Sequence, residues 1–85
     1  MTTADPRVVV LVTSGCHLCD EACSAVEAVC RELDVGWTAR PLSELAADAQ
    51  ARWREYVPVI LVDGEVHDIF RVAPDRLRST LAGRG

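Results

Sequence analysis

The sequence contains no lysine, and its nine basic residues, all arginine, are fewer than its thirteen acidic residues. The formal net charge of −4 argues against general nucleic-acid binding and against attraction to anionic membranes. No apolar run approaches the ~20 residues that a membrane-spanning helix needs. The first six residues also lack the basic and apolar regions of a signal peptide. We therefore expect a cytoplasmic protein that binds neither nucleic acid nor membrane.

Linkers, repeats and low-complexity segments are absent as well, so the 85 residues are interpreted as a single domain, residues 1–85. A domain of this size buries roughly 60% of its unfolded surface, and a hydrophobic content of 49% suits a modest globular core. The chain has four cysteines. In a reducing compartment these are not expected to form a structural disulfide framework, which directs attention to catalysis or metal binding.

Apolar periodicity predicts strands and helices in the order β-α-β-α-β-β-α. The predicted strands cover residues 8–12, 37–40, 57–62 and 65–71, and the predicted helices cover residues 19–33, 43–56 and 74–83. Ser43 is a good N-cap for the second helix, and Asp63-Gly64 is typical of a type I′ hairpin turn. With a parallel first βαβ unit and an antiparallel hairpin, this order predicts an α/β protein whose four-stranded mixed sheet is flanked by helices.

The motif Cys16-His17-Leu18-Cys19 lies where the first strand gives way to the first helix. Two cysteines at this spacing can close a small ring at the first helical turn, and the exposed N–H groups there favour a thiolate. We interpret the pair as a redox motif whose reactivity His17 and Leu18 modulate. A protonated His17 would stabilise the Cys16 thiolate; the alternative is an exposed polar residue that only tolerates the helix start.

A C-x-x-C motif can also bind zinc, but a zinc ion needs four ligands, which usually come from two separated pairs of residues. No second C-x-x-C exists, although Cys16, Cys19 and Cys23 could make a three-thiolate site. Position in the chain favours redox chemistry, so no metal site is predicted. Cys23 and Cys30 are expected at the edge of the inward helix face as small hydrophobes, with Cys23 as an alternative resolving thiol. His67 is expected on the surface of a strand.

The element order, with C-x-x-C opening the first helix, resembles the thioredoxin fold in its glutaredoxin form. Tyr56-Val57-Pro58, followed by an apolar strand, is similar to the segment that carries a cis-proline in that fold. The motif itself resembles that of short bacterial glutaredoxin-like proteins. The resemblance implies that Cys16 is the exposed nucleophile and Cys19 the resolving thiol. It also implies a substrate-binding segment in which the Val57 backbone bonds an extended substrate and Pro58 packs against the sulfurs.

The implied function is that of a thiol–disulfide oxidoreductase that contributes to cell redox homeostasis. Its partners would be protein or small-molecule disulfides and a thiol reducing system, and the protein is expected to be a monomer. No tightly bound cofactor is expected, and glutathione is the candidate co-substrate. The paired glycines with which glutaredoxins bind glutathione are absent from residues 68–73. The alternatives are an iron–sulfur or metal-binding glutaredoxin-like protein and a non-catalytic thioredoxin-fold adaptor.

Overall fold

The chain alternates strands and helices in the predicted order. A computed structural model describes residues 6–83. Its strands are β1 (Val8–Val12), β2 (Trp37–Pro41), β3 (Val59–Val62) and β4 (Glu65–Ile69), and its helices are α1 (His17–Leu33), α2 (Ala47–Trp53) and α3 (Pro74–Gly83), with a 3₁₀ turn over Leu42–Glu44. No helix in this range is long and apolar enough to cross a membrane.

The four strands form one mixed sheet with the order β2-β1-β3-β4. β1 pairs in parallel with β2, whereas β3 is antiparallel to both β1 and β4. This arrangement, with its three helices, confirms the predicted thioredoxin-like fold of the glutaredoxin type. Leu11 pairs with Val59, so the end of β1 and the start of β3 lie at the same edge of the sheet. The thiol motif and Pro58 both adjoin that edge.

Apolar side chains cover both faces of the sheet, as the unbroken apolar run of β1 predicts. Helices α1 and α3 pack on one face, where Val26, Ile60 and Leu77 are completely buried. The 3₁₀ turn and α2 lie over a smaller cluster, centred on Leu11, Leu42 and Val59. The larger cluster holds α1 against the sheet; α1 contains Cys19, and Cys16 directly precedes its first residue.

The second predicted helix is wrong in its first part, because Ser43 does not cap it. Residues 42–44 form the 3₁₀ turn, and the backbone is extended at Leu45 and Ala46 before α2 begins. Leu42 is buried in the smaller cluster, so core packing decides the conformation of this stretch over local capping preference. The Gln50 side chain donates a 2.8 Å hydrogen bond to the Leu45 carbonyl, which the break leaves without a helical partner.

The β3–β4 hairpin turns at Asp63-Gly64, where both residues have the positive φ that a type I′ turn requires (53° and 86°). Both strands are shorter than predicted. β3 begins at Val59, after the proline, and β4 ends at Ile69 because Phe70 adopts a left-handed conformation with φ 68°. The early end of β4 brings Phe70 to the sheet edge that also carries Pro58, to whose carbonyl the Phe70 N–H donates.

Candidate active site

Cys16 is the N-cap of α1, which begins at His17 and therefore two residues earlier than predicted. The Cys19 N–H donates a 3.1 Å hydrogen bond to Cys16 Sγ. The sulfur thus does what the oxygen of Ser, Thr, Asp or Asn does at most helix starts, and it satisfies an N–H that would otherwise lack a helical partner. This contact fixes the sulfur at the end of α1 where the helix dipole favours negative charge.

The two thiols of the motif differ sharply in exposure. Cys16 is half-buried, whereas only 3% of Cys19 is exposed, and both are free thiols. Burial raises the pKa of Cys19 to about 11; its side-chain hydrogen bond to Cys16 also raises that pKa, and the Thr13 backbone partly opposes both. Cys19 is therefore a protonated thiol at neutral pH, while Cys16 is the sulfur that an incoming molecule can reach.

The other two cysteines differ from each other. Cys30 lies inside the main core with 1% exposure rather than at the edge of the inward face, and burial raises its pKa. Cys23 is half-buried; burial raises its pKa and the charge of Asp20 adds to the effect. Within residues 6–83, no three His, Cys, Asp or Glu side chains are arranged to hold a metal ion, and this includes the three-thiolate combination. Cys23 as an alternative resolving thiol stays a prediction.

The Tyr56-Val57-Pro58 segment leads into β3 beside the end of β1. The Val57–Pro58 peptide bond is cis, and Pro58 is fully buried. The Pro58 carbonyl accepts a 2.8 Å hydrogen bond from the Phe70 N–H. By contrast, the Val57 N–H and carbonyl make no hydrogen bond to any part of residues 6–83. Tyr56 is 44% exposed. The segment thus presents an unpaired backbone unit and an aromatic ring at the edge that carries the thiols.

The two histidines have different surroundings. His17 is exposed at the first turn of α1. His67 lies on a strand, as expected, but is half-buried rather than fully exposed. Arg76 donates a 2.7 Å hydrogen bond to its carbonyl, and its Nε2 is buried without a hydrogen-bond partner. Burial lowers the pKa of His67, as does Arg76, while Asp68 opposes them. His67 is the middle residue of β4, and it does not line the groove that contains Leu18 and Phe70.

Phe70 is a residue of this site that sequence patterns do not reveal. Its ring centroid lies 6.2 Å from that of Tyr56, and Tyr56 in turn makes an edge-to-face contact with Trp53 at 6.4 Å. Phe70 and Leu18 also line the same small groove. The sequence shows Phe70 only as one more apolar residue near a strand end. Its position depends on a left-handed backbone conformation that bulky residues rarely adopt.

The fold and the thiol pair together define a class: a thioredoxin-fold protein of the glutaredoxin type with a C-x-x-C motif at the start of α1. Sequence comparison then specifies the family. The model of the glutaredoxin-like domain (DUF836) matches residues 7–82, so the chain belongs to that family.

The chain in the crystal structure of the holo form of glutaredoxin C1 from Populus tremula x tremuloides shares 19% sequence identity with this protein. The match covers 92% of this chain and 76% of that one, with a TM-score of 0.48. No curated protein is significantly similar to the chain in sequence.

Proposed function

We propose that this protein is a thiol–disulfide oxidoreductase in which Cys16 is the nucleophile and Cys19 the resolving thiol. The observation that carries the proposal is the contrast between the two sulfurs. Cys16 Sγ is accessible and accepts the Cys19 N–H at the end of α1, whereas Cys19 is buried and protonated at neutral pH. Membership of the glutaredoxin-like family supports a redox role for such a pair.

In the first step the Cys16 thiolate attacks one sulfur of a substrate disulfide. A bond forms between Cys16 and that sulfur, the substrate S–S bond breaks, and the second substrate sulfur leaves as a thiolate that takes a proton from solvent. The Cys19 N–H and the positive end of the α1 dipole stabilise the attacking anion. Because Cys19 is protonated, it does not compete with Cys16 for the substrate.

In the second step Cys19 loses its proton to solvent and attacks Cys16 Sγ within the mixed disulfide. The Cys16–Cys19 bond forms and the first substrate sulfur leaves as a thiolate, so the substrate has gained two electrons and the protein has lost two. Two thiols of an external reductant, with glutathione as one candidate, then return the pair to its reduced form and become a disulfide. Repeated turnover of this kind in the cytoplasm would contribute to redox homeostasis.

The Tyr56-Val57-Pro58 segment is the proposed binding site for the chain that carries the disulfide. The unpaired N–H and carbonyl of Val57 suit an extended substrate backbone, which can add two hydrogen bonds there as a strand does at a sheet edge. His17 and Leu18 flank the nucleophile on α1 and modulate its reactivity. Such a site admits protein disulfides as well as small-molecule ones.

The test compares three serine variants in a turnover assay with a small disulfide and an excess of thiol reductant. Cys16→Ser is expected to abolish reduction. When Cys19→Ser is incubated with the disulfide alone, without the reductant, it is expected to accumulate a mixed disulfide on Cys16, which tandem mass spectrometry locates within the tryptic peptide. Cys23→Ser is the matched control on the same helix and is expected to keep its activity. Full activity of Cys16→Ser would refute the proposal, and trapping by Cys23→Ser in place of Cys19→Ser would assign the resolving role to Cys23.

A further inference from the structure

Phe70 occupies an unusual backbone conformation next to the thiol site. Its φ is 68°, a region in which bulky side chains are genuine outliers. The Arg71 N–H donates a 2.7 Å hydrogen bond to the Ile69 carbonyl, so Phe70 is the central residue of a γ-turn with positive φ, the rarer and strained form. The 2.8 Å bond from its own N–H to the Pro58 carbonyl also fixes its position.

The strained conformation does not serve to bury the Phe70 side chain. The residue is 43% exposed, and its ring is paired with Tyr56, which is 44% exposed. Together with Trp53 these rings form a row that we call the aromatic platform (Trp53, Tyr56 and Phe70). A residue that keeps an unfavourable backbone conformation while leaving half of an aromatic ring in water gains little for the stability of the fold.

The aromatic platform adjoins both the proposed substrate-binding segment and the first turns of α1. Tyr56 precedes Val57-Pro58, and the Phe70 N–H donates a hydrogen bond to the Pro58 carbonyl. On its other side Phe70 lines a groove of about 220 Å³ with Leu18, which stands between the two cysteines of the motif. The other lining residues are Ala22, Ala25 and Val72, with Glu21 and Arg71 as the charged members. A chain bonded to the Val57 backbone therefore has an aromatic and aliphatic surface next to its cysteine.

We propose that Phe70 is a specificity-determining residue which, with Tyr56, binds a large apolar side chain adjacent to the reactive cysteine of a protein disulfide. The inference rests on the proposed function and names its substrate class. The occupant is an extended protein segment with an aromatic or large aliphatic residue beside its cysteine, because such a side chain covers the exposed rings and can contact Leu18 and Val72 in the groove. A small peptide thiol such as glutathione has no apolar side chain to place there.

The experiment uses two peptide disulfides that differ only in a phenylalanine or a serine next to the cysteine, together with glutathione disulfide. Wild-type protein is expected to reduce the phenylalanine peptide with a kcat/KM about tenfold above the serine peptide, which corresponds to ~1.4 kcal/mol. Phe70→Asn removes the ring and keeps a residue that tolerates the left-handed conformation. It is expected to abolish the preference while its melting temperature stays at or above that of wild type.

Val66→Ser is the matched control, because Val66 is an equally exposed apolar residue (48%) on β4 that does not line the groove. This variant is expected to keep the preference. Equal rates for the two peptides in wild type would overturn the inference, as would a Phe70→Asn protein that unfolds or keeps the preference. Failure of the proposed function would look different, since wild type would then reduce none of the three disulfides.

Discussion

The buried thiol of Cys19 makes the free energy of unfolding depend on alkaline pH, in a direction that follows from the structure. The fold raises the pKa of this thiol from the ordinary 9.0 to about 11, mainly through burial and then through the hydrogen bond to Cys16. A group whose pKa is raised on folding contributes stability that is fully present below its unfolded pKa and is lost as the pH rises through its folded pKa. The contribution of Cys19 is therefore complete below about pH 9 and disappears by about pH 11.

The size of the effect follows from the pKa difference. At 1.36 kcal/mol for each pKa unit, the difference between 9.0 and about 11 corresponds to about 2–3 kcal/mol. The assay is urea unfolding of the reduced protein, with a phosphine reductant, at several values between about pH 8 and pH 11. The measured quantity is the free energy of unfolding of wild type minus that of Cys19→Ala, which cancels the titration of the other groups.

This difference is expected to fall by about 2–3 kcal/mol between about pH 8 and pH 11, because only wild type loses the contribution of Cys19. The Cys16→Ala variant provides a second check. It removes a hydrogen bond that raises the folded pKa of Cys19, so the loss of stability is expected to be smaller and to end at a lower pH than in wild type. A difference that stays constant from about pH 8 to pH 11 would refute the reasoning, because it would mean that Cys19 ionises as easily in the folded protein as in the unfolded chain.

Four further substitutions test the fold, each by urea or thermal unfolding. Leu77→Ala is expected to lower the free energy of unfolding by about 2–5 kcal/mol, because it opens a cavity at a fully buried contact between α3 and α1. A smaller loss than that of Val66→Ala on the surface would contradict this packing. Cys30→Ser places a hydroxyl in the apolar core and is expected to cost ~1–3 kcal/mol, more than Cys30→Ala. Gly64→Ala meets no neighbouring atom but has φ 86°, so a loss of ~1 kcal/mol from backbone strain is expected, and an unchanged midpoint would count against the turn geometry. His67→Gln is expected to flatten the loss of stability on acidification, because the lowered pKa of His67 makes its contribution present above about pH 6.5 and lost as the pH falls; an unaltered acid limb would show that His67 is solvated.

The sheet and the thiol motif could be predicted because their signals are local and strong. The apolar run Val8–Val12 and the Asp63-Gly64 turn each determine their own conformation, and the turn pairs β3 antiparallel with β4. The C-x-x-C spacing likewise places both sulfurs at one helix end. What the spacing could not reveal is that Cys16 itself is the N-cap, since cysteine is not a usual capping residue.

Other features depend on contacts between segments that are distant in sequence. Ser43 is a strong local capping signal, yet burial of Leu42 against β1 and β3 outweighs it. The half-buried state of His67 depends on α3, whose Arg76 reaches over β4 to the His67 carbonyl. Phe70 is the clearest case, because its left-handed conformation is set by the carbonyls of Pro58 and Ile69 and contradicts its own preference.

The Cys16 sulfur caps the first turn of α1 and is also the sulfur that the proposed reaction oxidises. Once Cys16 is part of a disulfide, it has no negative charge and is a poorer acceptor for the Cys19 N–H, so the helix loses part of its cap. The order of this helix end and the oxidation state of the protein are therefore linked, and each affects the other. Fraying of the turn favours the oxidised form, and oxidation favours fraying. The exchange rate of the Cys19 amide proton is therefore expected to differ between the reduced and oxidised forms, and hydrogen exchange can measure it without an added probe.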